Sequence, residues 1–298
     1  MKRSRCGRRA FRAVALLLGV LSAACAAGTR PPDPSRPRVS EPPYPITLGA
    51  STDRREQALA AWDALAVPGI ANVGPDASTR PELQPVTATV RALPAGATLQ
   101  LPSVEPAGES ADAAQEAERE SLRRFLLSAP SLVGVQLPDL SLVEVKEVGT
   151  LRRALYRQRP FPYPLRGGYG EIEIAFTPER RVAMLSSTAI PDTEQRLTRA
   201  LAAPRTLLTA AETRSLLASG RTFSYTDADG RTQTYAPAAA GPVNVRELVI
   251  YPLRMATDLN TLELHIAWEI EVGEPARLRV YLDAVTGEVV SVETAAPL

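Results

Sequence analysis

The chain has 298 residues, 45% apolar and 22% charged, with a formal net charge of +1; this is ordinary for a globular protein and enough for one large or two small cores. The first 24 residues hold Lys2, Arg3, Arg5, Arg8, Arg9 and Arg12 and no acid, so taking those six charges from +1 leaves a body at −5. A mildly acidic body with no basic stripe interleaved with aromatics argues against a nucleic-acid partner.

Residues 1–12 form a basic head, and residues 13–24 an apolar run about as long as a signal-peptide core. The run falls short of the ~20 residues that a membrane-spanning helix needs. Small residues and then Cys25 follow, and Leu21-Ser22-Ala23-Ala24-Cys25 resembles the lipobox of bacterial lipoproteins, with Ser22 where the family favours Leu. The resemblance implies a signal peptide over 1–24 and a lipid (palmitate) attachment at Cys25; cleavage after Ala24 or Ala26 as an ordinary secretory signal is the alternative. Cys6 would leave with the signal, so Cys25 would be the one thiol of the mature chain and no intramolecular disulfide could form. Residues 25–50 are rich in proline, which favours a semi-rigid extended tether.

Residues 51–109 are the least legible stretch. A helix is predicted over 53–66, with Leu59, Trp62 and Leu65 on one side, and a strand over 86–93. Residues 110–129 read as an amphipathic helix capped by Ser110, with Leu122, Phe125 and Leu126 on its apolar face. From Leu140 the period changes to two. Strands are predicted over 142–145, 153–157, 171–176 and 182–189, with a turn-rich crossing from Pro160 to Gly170. Residues 191–205 read as a linker. Thr209-Ala210-Ala211-Glu212 is a capping box that opens a short helix ending at Gly220. A hairpin turning at Asp229-Gly230 follows, then strands over 246–253, 262–272, 278–282 and 288–292. The polar positions Glu269 and Glu271 are predicted to meet Arg277 and Arg279 across a hairpin on a solvated face.

The fold class is therefore α+β, with two tandem antiparallel sheets each packed by a helix, cystatin-like in outline. The expected domains are 110–195 and 205–298.

Two stretches resemble a known family. Leu151–Asp192, above all Tyr156-Arg157-Gln158-Arg159 and the crossing to Gly167-Gly168, is similar to the fungalysin/thermolysin propeptide motif. Leu248–Pro252, Leu264–Val272 and Val280–Val290, with its Asp283-Ala284-Val285-Thr286-Gly287-Glu288 turn, resembles a PepSY domain. The order is that of thermolysin-like precursors, with Phe161-Pro162-Tyr163-Pro164 departing from the usual motif. The resemblance implies a module that chaperones or inhibits a peptidase, here without the catalytic domain.

The residues themselves offer little chemistry. A zincin needs two histidines and a glutamate on one helix; this chain has the single His265. No Gly-x-Ser-x-Gly elbow partners it. Asp227-Ala228-Asp229-Gly230 reads as a turn rather than a calcium loop, and Gly167-Gly168-Tyr169-Gly170 as a turn rather than a phosphate cradle. Glu171 and Glu173 could pair as carboxylates but read as a solvated strand face. No catalytic, cofactor or metal residue is assigned.

The expectation is a non-enzyme of the cell envelope, anchored by lipid and in the outer membrane if the host is diderm. It binds, inhibits or chaperones an extracytoplasmic protein in trans. A structural envelope lipoprotein and, remotely, a carboxylate-only hydrolase are the alternatives; no small-molecule substrate is expected.

Overall fold

The computed structural model describes residues 44–65, 80–97, 99–159, 163–191, 206–220, 222–226, 231–237, 242–255, 258–273 and 278–294. Cys25, the lipobox, the 192–205 linker, the Asp227–Gly230 turn and Arg277 lie outside these residues. The architecture is α+β: antiparallel strands in several sheets, with helices packed against them.

The first large sheet has the order β4 (Leu99–Gln100), β8 (Arg181–Ser187), β7 (Glu171–Phe176), β6 (Leu151–Gln158), β5 (Leu140–Val148), all antiparallel. The period-two pattern places Ile172, Ile174 and Phe176 on one face, where Ala154, Tyr156 and Leu185 join them. Helix α2 (Ala111–Ser128) lays Leu122, Phe125 and Leu126 on that face. Ser110 caps α2 by accepting from the Ala113 amide at 3.1 Å. The short helix α3 (Pro130–Val133) turns the chain toward β5, and its C-cap is Gly134 at φ +83°. Helix α1 (Thr52–Leu65) adds Ala58 and Trp62 to the same core.

The second large sheet is built around β12 (Thr261–Val272). Strand β11 (Val243–Arg254) runs along one of its edges. Its other edge is shared end to end by β1 (Ile46–Gly49) and β13 (Leu278–Asp283), and β14 (Val289–Thr294) follows β13. Helix α4 (Ala210–Ala218) opens on the predicted capping box, with reciprocal Thr209 and Glu212 bonds. Its Leu217 packs with Ile270, Val280 and Leu282, and with Phe223 of β9 (Phe223–Thr226) and Tyr235 of β10 (Thr232–Tyr235). The β2 (Glu82–Leu83) and β3 (Val90–Ala92) pair is much shorter than the strand predicted over 86–93.

Residues 44–49, read from sequence as tether, belong to the folded body: Ile46–Gly49 pairs with Thr261–Leu264. The prolines of this stretch, Pro42, Pro43 and Pro45, stop just short of β1, which contains none. The two sheets also share a core. Val86, Leu165 and Ile190 from before the linker are buried with Leu48, Ile250, Leu262, Leu264 and Ile266. The whole span Pro42–Leu298 accordingly forms one unit.

Candidate functional site

The crossing between β6 and β7 carries the chain from the first sheet to the second. Its residues 164–166 act as a short rung on the free edge of β11: the Ile250 amide donates to Pro164 O at 2.8 Å and the Arg166 amide to Ile250 O at 3.0 Å. Two residues on, Pro252 has no amide to offer that edge, so the rung meets β11 where donors remain. The glycines of the crossing have distinct jobs. Gly167 (φ +66°) brings its backbone onto the Tyr251 ring, where a Cβ would lie 3.1 Å from the ring carbons. Gly170 (φ +79°) leaves room for Leu165, whose Cδ1 a Cβ would meet at 2.7 Å. Gly167 and Gly170 are thus the close-approach positions of the crossing, while Gly168 has open space where a Cβ would go.

Rung and sheets enclose a cleft of about 770 Å³. One wall holds Ser141, Val143 and Arg157; the other holds Glu247, Glu269, Arg279 and Tyr281. Arg166 spans it. Its Nε donates to Glu269 Oε2 at 2.6 Å and its Nη2 to Glu247 Oε1 at 2.7 Å. Arg279 Nε lies 3.2 Å from the other oxygen of Glu269. Glu269, expected on a solvated face, is only 3% exposed. Burial is tolerable because two guanidinium groups grip the carboxylate. Glu269 meets Arg279 across the β12–β13 hairpin as the alternation predicts, and Glu271, opposite Arg279 in register, accepts from Arg246 of β11 at 2.5 Å. Arg166 and Glu247 were not singled out in the sequence; their pairing spans 81 positions and no local pattern announces it.

Tyr281 lines the cleft and packs against Tyr251, with ring centroids 4.3 Å apart. The Tyr251 hydroxyl donates to Glu293 Oε1 at 2.9 Å and the Tyr281 hydroxyl to Oε2 at 3.3 Å. Burial, with the Glu293 charge adding to it, pushes both phenols above their usual range. They stay protonated and act as donors.

His265 lies opposite the apolar stripe of β12, as the alternation predicts, but it is half-enclosed rather than solvated. Its Nδ1 sits 2.7 Å from Asp283 Oδ2 and its Nε2 3.4 Å from Glu263. The Tyr44 hydroxyl donates to the same Asp283 oxygen at 2.7 Å and accepts from the Ile266 amide at 3.0 Å. Asp283 Oδ1 accepts from the amides of Val285 and Thr286. Burial alone would raise the pKa of Asp283, but the bonds from His265, Thr286, Tyr44 and Val285 outweigh it and leave the carboxyl below its ordinary value. The cluster holds the β1–β13 junction together. It brings no hydroxyl nucleophile of Ser or Thr onto the imidazole among the bonds it makes.

Glu171 and Glu173 do not face each other across a gap. Glu173 pairs with Arg153 at 2.5 Å and Glu171 with Arg157 at 3.5 Å. Gln158, the glutamine of the propeptide-like strand, is buried; its amide donates to Ile190 O at 2.8 Å and accepts from Ile190 N at 2.9 Å. It pins the chain leaving β8. Among the described residues, no group of three or more His, Cys, Asp or Glu side chains is placed to hold a metal.

No protein-family model and no curated protein matches the chain. Among solved structures it is similar to the Bacillus megaterium YpeB C-terminal domain, at 12% identity and a TM-score of 0.31, covering 84% of this chain and 99% of that one.

Proposed function

We propose that this chain is a non-catalytic binding module, anchored at the cell envelope through a lipid on Cys25, which holds an extracytoplasmic protein in trans. The observation that carries this reading is the state of the inter-sheet cleft. It is open and some 770 Å³ in volume, yet its acids are already engaged: Glu269 by Arg166 and Arg279, Glu247 by Arg166, Glu171 by Arg157, and Glu293 by two phenols. A general acid or base needs a proton it can give or take near working pH. Carboxylates neutralised by arginine are poor candidates, whereas paired charges beside tyrosines are good recognition surfaces.

The resemblance of 151–192 and 248–290 to a thermolysin-type prosegment makes a peptidase the first partner to try. Inhibition or assisted refolding would both follow from docking on the cleft. The test is direct. The purified chain is titrated against a thermolysin-like protease, and its inhibition constant is measured. Saturable inhibition weakened by Arg166→Ala supports the reading. No inhibition, together with no partner crosslinked in the envelope, overturns it.

A further inference from the structure

A second cleft, of about 600 Å³, lies beneath α2 and shares no lining residue with the first. Its walls are fixed. Ser121 Oγ of α2 donates to Pro102 O at 2.6 Å, and the Leu101 amide donates to Arg180 O at 2.9 Å. Arg180 Nη1 donates to Ser103 Oγ at 2.7 Å. The 101–106 segment is therefore held open against the helix and the β7–β8 turn rather than collapsed onto them.

Two properties of this cleft narrow what it can take. The first is charge. Its ionised side chains are Glu118, Glu147, Arg152 and Arg180, two of each sign. Neither an anion nor a cation gains net attraction there. The rest of the lining is largely apolar, with Leu101, Val104, Ala117, Leu151 and Phe176.

The second property is an unmet pair of hydrogen-bonding atoms. Arg152 Nη1 binds Glu118 Oε2. The neighbouring atoms of the same two groups, Glu118 Oε1 and Arg152 Nε, are buried with no partner. Leaving a buried donor or acceptor unmet is costly. The end torsions of the two side chains are soft, so the bonded Glu118–Arg152 pair can turn together and bring both atoms toward an occupant. One acceptor and one donor side by side are met by the N–H and C=O of a single residue in extended backbone, which point to the same side, whereas those of one trans peptide unit point apart.

We propose that the cleft under α2 binds one apolar residue of an extended polypeptide, held by that residue's own neutral N–H and C=O. The residue's N–H donates to Glu118, its C=O accepts from Arg152, and its side chain fills the space between Ala117, Leu151 and Phe176. Burial already holds the Glu118 carboxyl above the usual range against the pull of Arg152, as expected of an acceptor short of donors.

This inference adds a ligand chemistry to the binding reading above, and its test needs no partner protein. The probe is N-acetyl-L-leucinamide, added to the full chain carrying labelled methyl groups. A fragment of this size is expected to bind with a Kd on the order of 1 mM. Shifts should be confined to the methyls of Leu101, Ala114, Ala117 and Leu151. N-acetyl-L-leucine, an anion, and L-leucinamide, a cation, should bind about tenfold more weakly or worse. Glu118→Leu should abolish the preference for the neutral probe. Should that variant fail to fold, Ala117→Trp, which fills the cleft from the helix face, should abolish binding without lowering the melting temperature. Absence of shifts at these methyls at tens of millimolar, equal binding of the three probes, or unchanged binding by folded Ala117→Trp would overturn the proposal. Capture of a partner by a chain that fails this test would remove the amide site and leave the binding function; fragment binding without any partner would do the reverse.

Discussion

Arg166 donates from Nε to Glu269 Oε2 at 2.6 Å, across 103 positions of sequence. The pair lies where the crossing of the first sheet meets the central strand of the second. It sits beside the shared apolar core of Leu165, Ile190, Ile250 and Ile266. Sheets of an ordinary two-domain chain meet through a polar interface and move relative to each other. Here a buried ion pair and a common core hold them together, and the cleft takes its shape from that lock.

Arg166→Ala leaves Glu269 buried with Arg279 alone. Removing one partner of a buried pair costs ~3–5 kcal/mol, and Arg166 is 26% exposed with a second cation present, so a loss of about 2–3 kcal/mol is expected. Urea unfolding measures it. Combined with Glu269→Gln, the double variant should lose at least ~1 kcal/mol less than the sum of the singles. Additive losses would mean that the two residues do not act together.

Asp283 sets a pH dependence. Its folded pKa lies below the ordinary 3.8. A group depressed in the folded state stabilises above its unfolded pKa, and that contribution disappears as pH falls through the folded value. Asp283→Asn keeps the shape but places a donor, or a weaker acceptor, before Tyr44 and His265. The variant should be less stable than the parent by about 1–3 kcal/mol at pH 7, and the gap should narrow as pH falls below 3.8 and through the lower folded value. Unfolding curves across this pH range check this; a gap independent of pH would contradict it.

Two glycines of one turn should differ. Gly168 (φ +73°) has open space where a Cβ would go, so Gly168→Ala carries only the left-handed penalty of about 1 kcal/mol. Gly170 (φ +79°) would drive a Cβ to 2.7 Å from the buried Leu165 side chain. Gly170→Ala should therefore cost about 1–3 kcal/mol more than Gly168→Ala. The melting temperatures of the two variants give the comparison directly.

Cys25→Ser removes the proposed acceptor of the lipid. Labelled palmitate should enter the wild-type chain and not the variant, and the variant should leave the membrane fraction on a high-salt wash. Equal labelling of both would place the lipid elsewhere.

Much of this fold is written in local pattern. The alternation of Leu262–Val272, the Thr209–Glu212 capping box and the apolar face of 111–128 each depend on residues within a few positions, and each element stands where those patterns put it. What failed is long-range. Ile46–Gly49 looks like tether until Leu262 and Leu264 pair with it from more than two hundred positions away. Glu269 looks solvated because alternation assigns it to the polar face of its strand; that face is covered by a loop from the other sheet, about which periodicity says nothing. The candidate cleft was legible only in part. Gln158 and the Gly167-Gly168 turn stood out, but their meaning, a pin on Ile190 and a close approach to Tyr251, depends on contacts that no spacing encodes.

The central claim is that the inter-sheet cleft receives a protein. Val143, on its wall and 48% exposed, can be replaced by the photocrosslinker p-benzoylphenylalanine in intact cells. The account predicts a discrete crosslinked species containing one extracytoplasmic polypeptide, lost when Arg166→Ala is added and absent when the crosslinker sits at Glu56, an exposed residue of α1 that does not line the cleft. No crosslink from position 143, or one that is unchanged by Arg166→Ala and equally strong from position 56, would contradict it.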